Sequence, residues 1–131
     1  MWVAWLESNQ QQYDRFQYNV RIGDGSDPGP TFSATMRAMA IKLTQLRLDA
    51  VGWQGSLPTI FEVKRRAGPN NVGQLLTYDA VWRTQAYTPV NPRLVLVASS
   101  YNPNILPVIN NTGIDLQIVP VNFSVLAPQQ S

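Results

Sequence analysis

Apolar and polar residues alternate over 15–22, with Phe16, Tyr18, Val20 and Ile22 on one side. This period of two predicts a half-buried strand. The run 23–30 (GDGSDPGP) predicts a loop, and its glycines have turn spacing rather than a phosphate-loop pattern. Over 33–46, Met36, Met39, Ala40 and Leu43 recur at helical spacing behind Ser33, a good N-cap. Strands are then predicted over 47–53 and 59–65, with 54–56 as the turn of a hairpin. A loop over 67–71 leads into a helix over 72–83, carried by Val72, Leu75, Leu76 and Ala80. A second loop covers 88–92. The continuous apolar run 94–98 predicts a strand covered on both faces. A short helix over 104–111 stops at Gly113, and a last strand follows over 114–119. Residues 2–12, rich in Trp and then Gln, fit either a short helix or an extended arm.

Mixed strands and helices around a doubly covered central strand predict an α/β (α+β) fold, with helices on both faces of a central mixed sheet. The 131 residues amount to one domain. The expected division is an N-terminal arm or strand over 1–32, a core over 33–119 and a C-terminal tail over 120–131.

Composition narrows the chemistry. The chain has no Cys and no His. Disulfides, thiolate zinc sites, iron–sulfur clusters, cysteine nucleophiles and Ser-His-Asp triads are thereby excluded. A metal would have to be held by oxygen, which selects Mg²⁺, Mn²⁺ or Ca²⁺. Net charge is +2, and eight of the ten basic residues are Arg, the better partner for phosphate. No stretch is long and apolar enough to span a bilayer. The apolar start meets Glu7 at once and lacks a basic leader, so it does not resemble a secretory signal. The expected location is the cytoplasm, or a particle assembled there.

The chemistry concentrates in RLDAV (47–51) and FEVKRR (61–66). Strand alternation puts Arg47 and Asp49 on one face and Glu62 and Lys64 on one face, with Phe61 and Val63 pointing into the core. If the strands pair, Asp49, Glu62 and Lys64 converge. The chain holds only two Glu and two Lys, and a charge in mid-strand between apolar neighbours is costly unless partnered. Two carboxylates and a main-chain carbonyl suit Mg²⁺. A neighbouring lysine can orient an attacking water and stabilise charge on a phosphate. On the next helix, Gln74 and Tyr78 are at i and i+4 and share a face.

RxD, then ExK with Glu62 thirteen residues after Asp49, then QxxxY, resembles the PD-(D/E)XK nuclease superfamily, with its restriction-endonuclease-like core. The resemblance covers about residues 33–100 and is closest to the branch with QxxxY after ExK. It implies a DNA nuclease dependent on Mg²⁺ or Mn²⁺. It makes Asp49, Glu62 and the main-chain carbonyl of Val63 metal ligands, and Lys64 the catalytic lysine. Gln74 and Tyr78 would position the metal site and the DNA backbone. Leu48 replaces the proline of the family name, and the upstream His ligand of the recombination branch is missing. Glu7 is the candidate for the acidic residue that many members carry on the first helix, although a strand and a loop separate it from the helix at 33–46.

Plainer readings compete. Asp49, Glu62 and Lys64 also fit a cross-strand ion pair on a solvated hairpin face. Arg47, Arg65 and Arg66 suit phosphate contact and surface solubility equally well. The four Trp residues suit core or interface packing better than base stacking. The low charge, Trp/Gln-rich start and Pro/Gln tail suit a second function class: an assembly component, for example of a virus particle, built on a nuclease-like domain. A DNA-binding module without catalysis is a third. The expected partners are nucleic acid, with DNA foremost, and other copies of the chain or a larger complex.

Overall fold

The computed structural model describes residues 1–85 and 90–120. The chain runs α1 (Trp2–Asn9), β1 (Arg15–Ile22), α2 (Ala34–Thr44), β2 (Leu46–Gln54), β3 (Leu57–Ala67), α3 (Pro69–Arg83), β4 (Arg93–Tyr101), α4 (Leu106–Thr112) and β5 (Asp115–Ile118). The five strands form one sheet in sequence order. β1, β2 and β3 are antiparallel neighbours, while β3–β4 and β4–β5 are parallel. The parallel steps require crossovers, and α3 and α4 supply them. The expected mixed α/β sheet with helices on both faces is what forms. Of the loop expected at 88–92, residues 90–92 are described and are neither helix nor strand, while the tail expected over 120–131 lies outside the described residues except for Pro120.

Two apolar layers sandwich the sheet. On one face Val72, Leu75, Tyr78 and Trp82 of α3 and Ile109 of α4 pack over Ile60, Leu94 and Leu96. On the other, Trp5 of α1 packs on Ala50, Phe61, Val95 and Val97. β4 is therefore buried on both sides, as its unbroken apolar run predicts. Gly52 is required where the second layer is tightest: a Cβ there would lie 2.9 Å from Phe61 and 2.8 Å from Tyr13.

Of the two readings of residues 2–12, the short helix forms, and the strand expected over 15–22 forms as β1. Residues 2–9 are helical, Trp5 is only 3% exposed, and β1 pairs with β2 along its length. The segment is thus tied to the sheet, through Trp5 and the β1–β2 pairing, rather than forming a free arm. The helix expected at 33–46 forms as α2, with Ser33 Oγ accepting from the Met36 amide at 3.2 Å. It buries none of its residues, and Met36, Met39 and Leu43 are all exposed. Helical periodicity reports an apolar stripe but not what covers it. The helix expected from Val72 starts earlier, at Pro69. Pro suits the first turn, where its missing N–H costs nothing, and Asn71 Oδ1 accepts from the Gly68 amide at 2.9 Å. Gly113 ends α4 at φ 73°, the left-handed cap for which glycine is suited.

Burial of α1 and exposure of α2 make opposite expectations for their large side chains. Trp5→Ala is expected to cost about 3–5 kcal/mol, whereas Met39→Ala should stay within about 0.5 kcal/mol of wild type. Urea unfolding of both variants checks the pair.

Candidate active site

The site is built on an interruption in the sheet. β2 and β3 pair from Gln54–Leu57 up to Ala50–Phe61, and no further partners follow. At the same level β1 carries Asn19 at φ 53°, between the pairs Tyr18–Ala50 and Val20–Leu48. The two strands change faces there. Ala50 belongs to the Trp5 layer, whereas Leu48, two residues away, belongs to the α3 layer. Simple alternation therefore fails across Asp49, and the inference that Arg47 and Asp49 share a face from spacing alone does not carry through. Asp49 sits at the break, and its Oδ2 accepts from the Val63 amide of β3 at 3.1 Å. In extended backbone a residue's N–H and C=O point to the same side, so the Val63 carbonyl faces the same gap.

Glu62 is 6% exposed, and its Oε2 has no hydrogen-bond partner. Burial first, and then the neighbouring Asp49 carboxylate, push its pKa up to about 8. The Lys64 charge and the Tyr78 hydroxyl act the other way without prevailing. Tyr78 is buried on α3, and burial together with the Glu62 and Asp49 charges pushes its pKa up to about 12. It remains a neutral hydrogen-bond donor at any physiological pH. Arg47 is close enough to oppose that shift.

The fold thus brings Asp49, Glu62, Lys64, Tyr78 and Arg47 into one neighbourhood. Gln74, exposed on the first half of α3, contacts Asn71 at 3.5 Å rather than the carboxylates. Arg65 and Arg66 follow Lys64 on β3 and are exposed. Glu7 is exposed on α1, which packs on the opposite layer. Among the described residues no third acidic side chain completes a group with Asp49 and Glu62. The ion-pair alternative is not built either. The ion pairs among the described residues are Arg37–Asp27, Arg83–Asp79 and Arg93–Asp115, and none involves Lys64.

The donor set fits a hard divalent cation. A buried carboxylate oxygen without a partner, a second carboxylate close enough to raise the first one's pKa, and a main-chain carbonyl are all oxygen donors. Mg²⁺ needs only one or two protein carboxylates because it keeps several waters. Asn71, the last residue of the loop expected over 67–71, proves to be a buried polar residue beside Gln74. Its burial depends on how α3 lies on the sheet and has no signature in sequence.

A scan against protein-family models and a search of curated proteins both find no match. Solved structures do match. A repair endonuclease from Pyrococcus abyssi aligns at TM-score 0.55 and 17% identity, over 91% of this chain and 45% of that one. EndoMS in complex with dsDNA aligns at TM-score 0.54 and 16% identity, over 91% of this chain and 43% of that one. EndoMS in its apo form aligns at 0.53 and 15%, over 92% and 45%. The chain spans less than half the length of each. At such identities the likeness is one of fold, and this protein has a nuclease-like fold.

The raised pKa of Glu62 has a consequence for stability. Without divalent cations the folded state keeps a proton that the unfolded chain releases near the ordinary value of 4.5. The resulting stabilisation is complete below 4.5 and is lost as pH rises through about 8. Urea unfolding in chelator is expected to show this decline between about pH 5 and about pH 9, and Glu62→Gln to flatten it.

Proposed function

We propose that this protein is a metal-dependent nuclease of the PD-(D/E)XK type that hydrolyses DNA phosphodiester bonds. The observation that carries the reading is the buried, unpartnered Glu62 Oε2 beside Asp49 at the break between β2 and β3. Two carboxylates forced together in a low-exposure site gain from a cation that neutralises both. Asp49, Glu62 and the Val63 carbonyl would hold Mg²⁺ or Mn²⁺. Bound there, the ion supplies Lewis acidity toward a phosphate and lowers the pKa of water.

The protein's own groups do the rest. Lys64, exposed beside Glu62, would orient an attacking water and offset charge building on the phosphoryl oxygens. Tyr78, close to Glu62 and with its pKa pushed up to about 12, keeps its proton and would donate to that carboxyl group. Gln74 lies one turn before Tyr78 on α3, the placement expected of the QxxxY branch, and would meet the DNA backbone. Arg47, Arg65 and Arg66 add positive charge for phosphates. The dsDNA in the EndoMS complex supports nucleic acid as the partner class.

A second reading, an assembly component on a nuclease-like domain, is favoured by the exposed stripe of α2. Cleavage separates the two. Asp49→Asn keeps an acceptor for the Val63 amide while removing the charge. It and Lys64→Ala are each expected to lower Mg²⁺-dependent cleavage by at least about a hundredfold, with the circular dichroism spectrum retained. Calorimetry should show Mg²⁺ or Mn²⁺ binding in wild type and its loss in Asp49→Asn. Cleavage unchanged in both variants removes the nuclease reading. A stable large assembly that never cuts favours the second.

A further inference from the structure

Phe32, Met36, Met39 and Leu43 follow one another at spacings of four, three and four residues, the alternation of a helix–helix seam. All four stand in solvent, at 45, 55, 59 and 66% exposure. We propose that α2 is a dimerisation helix whose stripe packs antiparallel on the same stripe of a second copy of this chain, across a two-fold axis between Met39 and Ala40. The inference uses no residue of the carboxylate site and stands apart from the nuclease reading.

Polar bonds fasten α2 through its other side. Arg37 pairs with Asp27 at 2.6 Å, Thr44 Oγ1 accepts from the Ser26 amide at 2.6 Å, and the Lys42 carbonyl accepts from Arg21 at 2.8 Å. These bonds fix where the helix lies, but none of its 11 residues is buried. A helix this short draws most of its stability from a covered apolar face, yet the described residues leave the stripe open. The stripe is complementary to itself. Reversed about the point between Met39 and Ala40, Met36 falls on Leu43, while Met39 and Ala40 each fall on their own counterpart. Large residues then meet at both ends, and the small Ala40 lets the helix axes approach. One patch serves both copies, as in the isologous contact of a two-fold dimer.

Charge and area agree with that occupant. In the antiparallel pair Lys42 falls near Thr35 of the second copy and Arg37 near its Thr44, so no like charges are opposed. At their exposures the four stripe side chains leave about 400 Å² per chain in solvent. Two copies joined along them would bury about 800 Å², and the flanking Thr35, Ala40 and Lys42 carry the total to about the 1,000 Å² of a specific, weak interface. A lipid surface suits an amphipathic helix too, but it needs a strongly basic polar face. Here Arg37 is committed to Asp27, and the helix has only Lys42 besides.

Sedimentation velocity of the full chain from about 5 to about 500 µM, a range set by an interface of this size, is expected to show monomer passing to dimer. Met39→Glu places two carboxylates at the axis and should raise the concentration of half-dimerisation at least about tenfold. Its circular dichroism should be retained. At about 1 µM, where copies of a weak dimer are apart, its urea midpoint should match that of wild type. The chain has no Cys, so single introduced thiols report the register. On mild oxidation Met39→Cys should link to itself. Met36→Cys should not, but in a mixture it should link to Leu43→Cys. Wild type that stays monomeric over the whole range overturns the proposal, including the case in which the monomer binds anionic vesicles through the stripe. A dimer that Met39→Glu leaves unchanged places the interface elsewhere and overturns it as well. Self-linking of Met36→Cys in preference to the mixed pair overturns the antiparallel arrangement. None of these measurements involves DNA or metal, so this proposal and the nuclease reading fail separately.

Discussion

The hydrogen bond from the Val63 amide to Asp49 Oδ2 is the interaction on which the site depends. Ladder pairing between β2 and β3 ends at Ala50–Phe61. Beyond it a backbone N–H of β3 would be left without a strand partner inside the sheet, at a cost of about 1–3 kcal/mol. A side-chain carboxylate replaces the missing strand. The same substitution places an anion between two strands and leaves the neighbouring carbonyl facing the gap. A continuous ladder would have been more regular and would have had no such opening. The left-handed Asn19 on β1 lies level with Asp49 and lets β1 follow the change of face.

Electrostatics then distinguish the residues placed there. Glu62 is enclosed by the α3 layer, and its charged form is penalised by burial and by Asp49. Lys64, two residues on, reaches solvent, so its charge is diluted by water and fails to hold Glu62 ionised. The site is under electrostatic tension that a divalent cation, bound as proposed, would relieve. Tyr78, from the helix above, lies close to the group under tension, and its own pKa is pushed up to about 12. Metal affinity and substrate geometry would in this way be shared between a strand break and one turn of α3.

The two helices with Trp- and Met-rich faces have opposite fates. α1 inserts Trp5 against Phe61 with ring centroids 4.8 Å apart and seals one side of the sheet. It also sets Trp2 edge to face with Tyr18 of β1, ring centroids 6.1 Å apart. α2 spans the β1–β2 connection and keeps its apolar stripe outside, anchored by the ion pair of Arg37 with Asp27 at 2.6 Å and by Arg21 donating to the Lys42 carbonyl at 2.8 Å. One helix closes a core layer, while the other leaves its apolar stripe exposed.

Periodicity alone determined much of this protein. It located β1, the β2–β3 hairpin, the doubly buried β4 and the body of α3, because side-chain direction in regular backbone follows from spacing. The Asp49, Glu62, Lys64 and Tyr78 neighbourhood was legible too, since two charged residues in apolar strands stand out against so few Glu and Lys. Tertiary structure decided the rest. Which apolar helix is buried depends on what lies opposite it, so α1 and α2 could not be ranked from their own residues. The face change at Asp49 is matched by left-handed Asn19 on a neighbouring strand 30 residues away in the chain, which no local pattern records. Glu7 was separated from the carboxylates, and Asn71 buried beside Gln74, by the packing of whole helices on the sheet, because burial is a property of an assembled layer rather than of any segment within it.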